Sequence, residues 1–345
     1  MARKDAISLG HVPPTLDEVA RLAGVSRATV SRVVNGSPLV TEATREAVER
    51  SIRELGYVPN RAARALVTRR TDTIALVVSE PEARAFSDPF FRTIVRGISN
   101  VIEDTDVQLL LLFAQGQREQ AKVERYLRQG HVDGVVLMSL HGNDPLPLAL
   151  TGAHIPTVLS GRPRPGERLP YVDADNRGGA RAATRHLLES GRRTIATITG
   201  PLDMTAGVDR FDGYKDALDD AELDAGKGLV AHGDFSEESA VLATAQLLER
   251  RPDLDAIFVA SDPMAFGALK VLRESGRRVP DDVAVVGFDD VAEAAGVDPP
   301  LTTMRQPLPE MTRELTELLL RRMDGLAGDD DFVVCPTELV VRASA

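Results

Sequence analysis

The sequence is poor in cysteine and in aromatic residues, and it has no long apolar run. Among its 345 residues there is one cysteine, Cys335, no tryptophan, and only 4% aromatic residues. A single thiol excludes a disulfide framework and a cysteine-rich metal site, and it suits a reducing compartment. No stretch approaches the roughly 18 uninterrupted apolar residues of a membrane span. The basic N-terminus is not followed by an apolar segment, so we expect no signal peptide, no membrane partner and a cytoplasmic location.

Sequence motifs for nucleotide binding, hydrolysis and metal ligation are also missing. The chain contains no G-x-G-x-x-G after an expected strand, no G-x-x-x-x-G-K-[ST], no G-x-S-x-G and no H-E-x-x-H. Its six histidines show no metal-ligand spacing. We therefore predict no catalytic residue, no metal site and no cofactor. Many enzymes lack such motifs, so an enzyme stays open as an alternative at this point.

Charge is distributed unevenly along the chain. The first 70 residues carry 12 Lys and Arg against 7 Asp and Glu, whereas the remaining 275 carry 29 against 45. A basic head on an acidic body indicates a polyanion-binding module joined to a separate domain. On charge alone, a small helical domain with surplus arginine is equally compatible.

Residues 15–37, TLDEVARLAGVSRATVSRVVNGS, have the pattern of two short helices joined by a tight turn. Thr15 followed three residues later by Glu18 is a capping box, which predicts a helix start. Gly24 ends this helix, Ser26 is a second N-cap candidate, and Thr41 is a third. Two short helices joined by a glycine-containing turn predict a helix-turn-helix.

The second of these helices has polar residues on the side away from the core. We expect it to expose Arg27, Ala28, Ser31, Arg32 and Asn35. Arginine reads guanine bidentately in the major groove, and a small alanine allows close approach to base edges. A simple pair of antiparallel helices would share the periodicity but not this exposed surface.

The stretch 15–66 closely resembles the DNA-binding region of the lactose-repressor (LacI/GalR) family of bacterial transcription regulators. The resemblance is carried by DEVARLAGVSRATVSRVVNG, LVTEATREAV and LGYVPNRAARAL. It implies that the recognition helix begins near Ser26, that Arg27, Ala28 and Arg32 read bases, and that Thr29 and Asn35 face the backbone. The DNA-binding residues predicted in this region are Thr15, Ser26, Arg27, Ala28, Thr29, Ser31, Arg32 and Asn35.

The segment PNRAARAL, residues 59–66, connects this region to the first strand. Pro59 stops the preceding helix and Asn60 can cap a new one. Its helical part is too short to be stable alone, because isolated helices under about 12–15 residues are marginal in water. The resemblance implies a hinge helix that lies in the minor groove and wedges Leu66 between bases. The hinge residues predicted to contact DNA are Asn60, Arg61, Ala63, Arg64 and Leu66.

The rest of the chain alternates strand and helix patterns. Strands are expected at 73–78, 107–113, 132–138, 155–161, 193–200, 228–233, 256–261 and 283–290, with a last one at 332–342. Apolar strands in βαβ order predict parallel sheets covered on both faces. The two series of strands, split near 170–176, predict two lobes around a cleft, with a crossing between lobes at 299–311.

The expected organisation is thus an N-terminal all-α helix-turn-helix head (1–58), a hinge helix and linker (59–70), and an α/β body (71–345). We expect lobe 1 at about 71–170 and 303–325, and lobe 2 at about 171–298 and 326–345. The body also resembles the same family, and through it the two-lobed periplasmic-binding-protein-like fold. An exported solute-binding protein is the rival interpretation, but it would need a signal peptide and no DNA-binding head.

The resemblance and the motifs after the expected strands give a set of effector contacts. Arg210 matches the family's effector-holding arginine and Asp289 its partner carboxylate, whereas Ser261 stands where many members have asparagine. The predicted effector-binding residues are Asp88, Phe90, Phe91, Arg210, Phe235, Ser261, Asp262, Asp289 and Gln306. Other interpretations stay open: Phe90 as a core residue, and Asp262 or Asp290 as helix caps.

A carboxylate, a guanidinium and an aromatic ring together suit a neutral sugar. A purine held between aromatic rings is the alternative effector. Over its length the chain is most similar to actinobacterial regulators of cellulose and β-glucoside use, which implies cellobiose or a related oligosaccharide as the effector. We therefore predict a homodimeric repressor of sugar-utilisation genes that binds a pseudo-palindromic operator in double-stranded DNA.

Overall fold

The structure is a computed structural model that describes residues 14–34, 36–58, 70–224 and 226–345. The chain divides into two compact units, Met1–Thr71 and Asp72–Ala345, called the head and the body below. Within the described ranges, no helix is both long enough and apolar enough to span a lipid bilayer.

The described part of the head contains three helices, α1 (Leu16–Ala23), α2 (Arg27–Val34) and α3 (Glu42–Leu55). The predicted capping box starts α1: the Thr15 hydroxyl accepts from the Glu18 N–H (3.3 Å) and the Glu18 carboxylate accepts from the Thr15 N–H (2.7 Å). Gly24 ends α1 at φ 68°, a left-handed conformation that glycine adopts at little steric cost.

The three helices of the head share a small apolar core. Ser26 precedes α2, and its hydroxyl accepts from the Thr29 N–H at 3.1 Å. Val19 of α1, Val30 of α2 and Val48 of α3 are each fully buried in this core. The tight turn between α1 and α2 makes them the helix-turn-helix that the sequence predicts.

The body contains two six-stranded sheets. The first consists of β1 (Thr73–Val78), β2 (Gln108–Phe113), β3 (Gly134–Met138), β4 (Thr157–Ser160), β5 (Tyr171–Ala174) and β11 (Phe332–Cys335). Its order is β11-β5-β4-β3-β1-β2, and all its neighbouring strands are parallel.

The second sheet consists of β6 (Ile195–Thr199), β7 (Val230–His232), β8 (Ala256–Val259), β9 (Ala284–Asp289), β10 (Thr302–Arg305) and β12 (Glu338–Val340). Its order is β12-β10-β9-β8-β6-β7. The strands are parallel except that β12 runs antiparallel to β10. Each sheet with its helices forms one lobe of the body.

Helices cover both faces of each sheet. They are α4 (Glu82–Ser87), α5 (Pro89–Ile102), α6 (Gly116–Arg128), α7 (Leu146–Gly152), α8 (Asn176–Glu189), α9 (Thr205–Asp220), α10 (Glu237–Arg250), α11 (Asp262–Glu274) and α12 (Leu308–Met323), with a short 3-10 helix at Ala292–Ala295. The first sheet lies between α5 and α12 on one face and α6 and α7 on the other. The second lies between α8 and α9 on one face and α10 and α11 on the other. This burial explains why the strands are almost continuously apolar, as in GVVLM of β3.

The chain passes between the lobes three times, and this corrects the lobe limits expected from the sequence. The β5 strand pairs with β4 and β11, so it belongs to the first lobe and not to the second. The β10 strand belongs to the second sheet, whereas α12 that follows it packs on the first. Both strands have only four residues and include polar ones, which hides them from periodicity arguments.

The last expected strand, 332–342, is two strands in different sheets. Pro336 lies between β11 and β12 and has no N–H to donate to a ladder, which favours a break there. Residues after Pro336 then pair with β10 of the second sheet. The segments near Asp175, Gln306 and Pro336 therefore form the three connections that join the lobes.

Candidate functional site

The exposed surface of α2 carries the predicted base-reading residues. Arg27, Ala28 and Arg32 are exposed, whereas Val30 and Val33 face the core. Arg27 Nη1 lies 3.6 Å from the Asp17 carboxylate, with both side chains about 70% and 67% exposed. Ion pairs this exposed contribute little, so Arg27 can exchange this partner for DNA at small cost.

The hydroxyl groups of the head act first as helix caps. Thr15 caps α1, and the Ser26 hydroxyl lies 2.9 Å from that of Thr29 at the start of α2. Thr29 and Ser31 are half-buried beside the exposed surface. Several predicted DNA contacts lie outside the described residues: Asn35, Asn60, Arg61, Ala63, Arg64 and Leu66.

A cleft lies in the body where the carboxyl ends of both sheets meet. It encloses about 890 Å³, including its open mouth. Of the nine predicted effector residues, eight line it: Asp88, Phe90, Phe91, Arg210, Phe235, Ser261, Asp289 and Gln306. The location agrees with the general rule that open α/β sheets bind ligands at the carboxyl ends of their strands.

Arg210 of α9 is the most highly connected polar residue described in the cleft. Its side chain is only 6% exposed. Nε donates to Asn176 Oδ1 at 2.8 Å, and Nη1 donates to the Ala260 carbonyl at 2.6 Å. Nη1 also lies 3.2 Å from Asp289 Oδ1. These partners fix the guanidinium in one orientation.

Two aromatic rings flank the Arg210 guanidinium. Its Cζ lies 3.8 Å from the centre of the Phe288 ring and 5.6 Å from that of Phe235. Phe235 has φ 71°, a left-handed conformation that is rare for a bulky residue. Gly200 makes room for this ring, because a Cβ at that position would lie 2.3 Å from two ring carbons.

Asp289 is the last residue of β9 and has φ 117°, which makes it a second strained residue in the cleft. Its Oδ1 accepts from Gln306 Nε2 at 2.7 Å. Burial raises the pKa of Asp289 and lowers that of Arg210, and the contact between the two residues opposes both shifts. A buried ion pair of this kind stabilises a fold weakly, and its place in a cleft favours a role in binding.

Sequence reasoning missed Asp173 and Asn176, which also line the cleft. Asn176 Nδ2 donates to Asp173 Oδ1 at 2.9 Å, and Asn176 Oδ1 accepts from Arg210 Nε. Burial raises the pKa of Asp173 to about 6, while backbone N–H groups of Arg162 and Ala174 act against it. The two residues were missed because β5 was not expected as a strand of the first sheet.

Four more polar cleft residues were also missed: Glu80, Arg84, Ser139 and Ser160. Each lies at or beyond the end of a strand that the sequence does predict, β1, β3 or β4. Position after a predicted parallel strand is therefore the signal that could have found them.

Asp262 corrects the predicted site, since it does not line the cleft. It is fully buried at the start of α11, where its two carboxylate oxygens accept from Thr303 Oγ1 (2.6 Å) and from the Val291 N–H (2.9 Å). Burial raises its pKa, and the charge of Asp289 adds to this. Asp262 joins α11, β10 and the loop after β9, so its role is structural.

Two other predicted contacts have mixed roles. Ser261 lines the cleft but its hydroxyl also caps α11, accepting from the Met264 N–H at 3.4 Å. Phe91 is 3% exposed, and its ring packs near those of Phe86 and Phe113. Phe91 thus contributes chiefly to the core of the first lobe.

A helix-turn-helix head and a two-lobed body with a polar cleft define a DNA-binding regulator that is controlled by a small molecule. Family models agree: residues 15–60 match "Bacterial regulatory proteins, lacI family" and residues 184–345 match "Periplasmic binding protein-like domain". The chain is 52% identical over 333 residues to the HTH-type transcriptional regulator CelR of Thermobifida fusca, covering 96% of this chain and 98% of that one. The chain belongs to the LacI family of bacterial transcriptional regulators.

Solved structures show the same relationship. A transcriptional regulator CelR–cellobiose complex is 50% identical, with a TM-score of 0.78 over 96% of this chain and all of that one. The lac repressor dimer bound to operator and the anti-inducer ONPF is 27% identical, with a TM-score of 0.85 over 96% of this chain and 99% of that one. These relatives are regulators of transcription and not enzymes, which confirms the fold and the class expected from the sequence.

Proposed function

We propose that the protein is a homodimeric repressor whose affinity for a pseudo-palindromic operator is controlled by a sugar in the cleft, with cellobiose or a related oligosaccharide as the effector. It would act in the cytoplasm, where its DNA target is. The observation that carries the proposal is the Arg210–Asp289 pair, held by Asn176 and Gln306 and covered by Phe235.

The chemistry of this site suits neighbouring sugar hydroxyls. A sugar hydroxyl can donate to the Asp289 carboxylate and accept from Arg210 or Gln306, and charge-assisted hydrogen bonds of this kind are strong. The exposed part of Phe235 can cover the C–H face of a pyranose ring. The cellobiose complex of the regulator CelR, at 50% identity, supports a sugar of this class.

A purine effector is less well supported by the rings in the cleft. Phe91 is committed to the core of the first lobe, and Phe90 packs partly against the same core. A purine sandwich needs two aromatic faces that are free to stack on the base.

The DNA-binding part of the proposal is supported by the exposed α2 surface with Arg27 and Arg32. The lac repressor, which shares the fold, was solved as a dimer on its operator. Two heads related by a two-fold axis read two half-sites of a palindrome. Ligand binding that favours one arrangement of the lobes then changes operator affinity through differential binding to two states.

A gel shift with DNA from upstream of the protein's own transcription unit tests the proposal. We expect a specific shift at moderate salt that cellobiose reverses. A matched fragment with scrambled half-sites serves as the control. If the intact and scrambled fragments shift equally, the regulator has no operator there and the proposal fails for that target.

A substitution in the predicted hinge helix, residues 59–66, gives a second test of operator binding. Leu66→Ala should weaken operator binding, because burying a leucine side chain between bases contributes about 1.5–3 kcal/mol to the free energy of binding. Cellobiose binding, measured by calorimetry, should stay at the wild-type value. An unchanged operator affinity would leave residues 59–66 as a linker only.

A further inference from the structure

Four of the polar residues on the first-lobe wall of the cleft lie at the ends of neighbouring strands. Asp173, Ser160, Ser139 and Glu80 lie at or just beyond the carboxyl ends of β5, β4, β3 and β1. These four strands are consecutive neighbours in the sheet. The residues therefore form a row that runs across the cleft, which we call the polar row.

The strand register places the members of the polar row at nearly the same height. Across the four strands, Val172 pairs with Ser160, Ser160 with Met138, and Met138 with Val78. Each member of the polar row is one of these residues or lies one or two residues after one of them. Neighbouring strands lie about 4.8 Å apart, so the three spacings from β5 to β1 give the row a length of about 14 Å. This is longer than one pyranose ring and matches two linked rings.

The inner end of the polar row is joined to the Arg210 site. Asn176 donates to Asp173 and accepts from Arg210, which connects the row to the Arg210–Asp289 pair. A ring bound by Arg210 and Asp289 thus lies beside Asp173.

The outer end of the row is Glu80, and its ion-pair partner Arg84 also lines the cleft. Glu80 is 8% exposed, and its two oxygens lie 3.2 Å from Arg84 Nη1 and 3.0 Å from His141 Nε2. The other nitrogen of His141 lies 3.2 Å from Asp203 of the second lobe. Both nitrogens of His141 face carboxylates, so both contacts are hydrogen bonds only when the ring carries two protons.

The positive charge of Arg84 also acts on Asp234 of the second lobe. Burial raises the pKa of Asp234, but hydrogen bonds from Ser236 and Ser239 and the charge of Arg84 lower it by more. His141 thus joins Glu80 to Asp203 of the second lobe, and the Glu80–Arg84 pair lies on the lobe-1 wall of the cleft.

We infer that Glu80 and Arg84 form a second sugar subsite that binds the outer ring of a disaccharide and makes the cleft prefer a disaccharide to a single hexose. The carboxylate accepts from one hydroxyl of that ring and the guanidinium donates to its neighbour. His141 is a positioning residue, since it holds Glu80 and ties it to Asp203. This inference rests on the proposed function and extends it to ligand length.

Calorimetry with cellobiose and with glucose tests the inference on the full-length protein. Hydrogen bonds to charged groups contribute about 1.5–3 kcal/mol, so Glu80→Gln and Arg84→Gln should each weaken cellobiose binding at least about tenfold. Both variants should bind glucose as the wild type does. Glu82→Gln is the matched control, because Glu82 is exposed on the same helix as Arg84 and does not line the cleft.

Equal losses for both sugars, or no loss for cellobiose in either variant, would overturn the second subsite. A wild-type protein that binds glucose as tightly as cellobiose would overturn it as well. If the wild type binds no sugar at all, the proposed function itself fails, and that outcome is distinct from the others.

The role of His141 has its own readout. In the wild type, the ratio of cellobiose to glucose affinity should fall as the pH rises and His141 loses its second proton. The charged groups that face His141 are Glu80, with its partner Arg84, and Asp203. His141→Ala should lower the ratio at acidic pH towards the value that the wild type has at alkaline pH, whereas a ratio equal to that of the wild type at acidic pH would exclude His141 as the positioning residue.

Discussion

Arg210 combines five interactions in one side chain: with an amide, a carbonyl, a carboxylate and two flanking rings. Such a set needs the planar fork of a guanidinium, and lysine cannot reproduce it. The cation also offsets the buried charge of Asp289. Its removal would leave that charge unpaired, which costs about 3–5 kcal/mol in comparable buried pairs.

Arg210→Lys should therefore separate binding from folding. We expect cellobiose affinity to fall at least about tenfold. The hydrogen bonds of the guanidinium to Asn176 and Ala260 and its contacts with the two rings are lost, while the positive charge stays. Calorimetry measures the affinity, and thermal unfolding checks that the variant is folded. Arg177→Lys is the control, since the ion pair of Arg177 with Asp216 is on the surface. Equal affinities for the two variants would remove Arg210 from the site.

Gly200 sets the position of Phe235 by having no side chain. Gly200→Ala places a Cβ at 2.3 Å from the Phe235 ring, so the ring must move. The contact between the ring and the face of the bound sugar is then lost. We expect a several-fold weaker sugar affinity, of the order of 1 kcal/mol for one aromatic contact. Gly152→Ala, where an added Cβ meets nothing within 4 Å, is the matched control. A wild-type affinity in Gly200→Ala would show that the ring position does not matter.

At the scale of elements, the loops after β1, β3 and β6 meet at His141. Hydrogen bonding to Glu80 raises the pKa of His141, and Asp203 adds to the shift although burial opposes it. Because the folded pKa is above the unfolded one, this stabilisation is complete below the unfolded pKa of His141. It is lost as the pH rises through the folded pKa.

The corresponding prediction compares His141→Gln with the wild type. The stability advantage of the wild type should be largest at acidic pH and should shrink as the pH rises above the folded pKa. Thermal unfolding at a series of pH values measures the difference. His131→Gln is the control, because His131 is exposed and contacts only Gln129 and Tyr126 in the hydrogen-bond and ring geometry of the described residues. A difference that does not vary with pH would show that His141 does not titrate against these carboxylates.

The elements also show how far sequence reasoning reaches. Arg210 and Asp289 could be predicted because they match the effector-binding positions of the family that the sequence resembles. Asp173 and Asn176 are not, because their place depends on β5 pairing between β4 and β11, a contact with a strand more than 150 residues later in the chain. Asp262 looks like a ligand by motif, and only the positions of Thr303 and Val291 show that its carboxylate is already satisfied.

At the scale of the whole molecule, the head and the body are separate units with opposite charge. The basic head suits the phosphate backbone of DNA, and the body carries the cleft. Three chain connections join the lobes, so a ligand that contacts both walls changes the balance between their arrangements. Pairs such as Arg92–Glu293 and His141–Asp203 cross between the lobes. Those pairs are present only in arrangements that bring the walls together.

We propose that binding of the sugar and binding of the operator are coupled through one protein. The direct measurement is operator affinity, followed by fluorescence anisotropy of labelled DNA, at increasing cellobiose up to a concentration at which calorimetry shows the cleft to be full. We predict that the dissociation constant for the operator rises about 5–150-fold and then reaches a plateau, the range of typical coupling energies. An operator affinity that stays constant while the cleft fills with cellobiose would show that the two sites are not coupled.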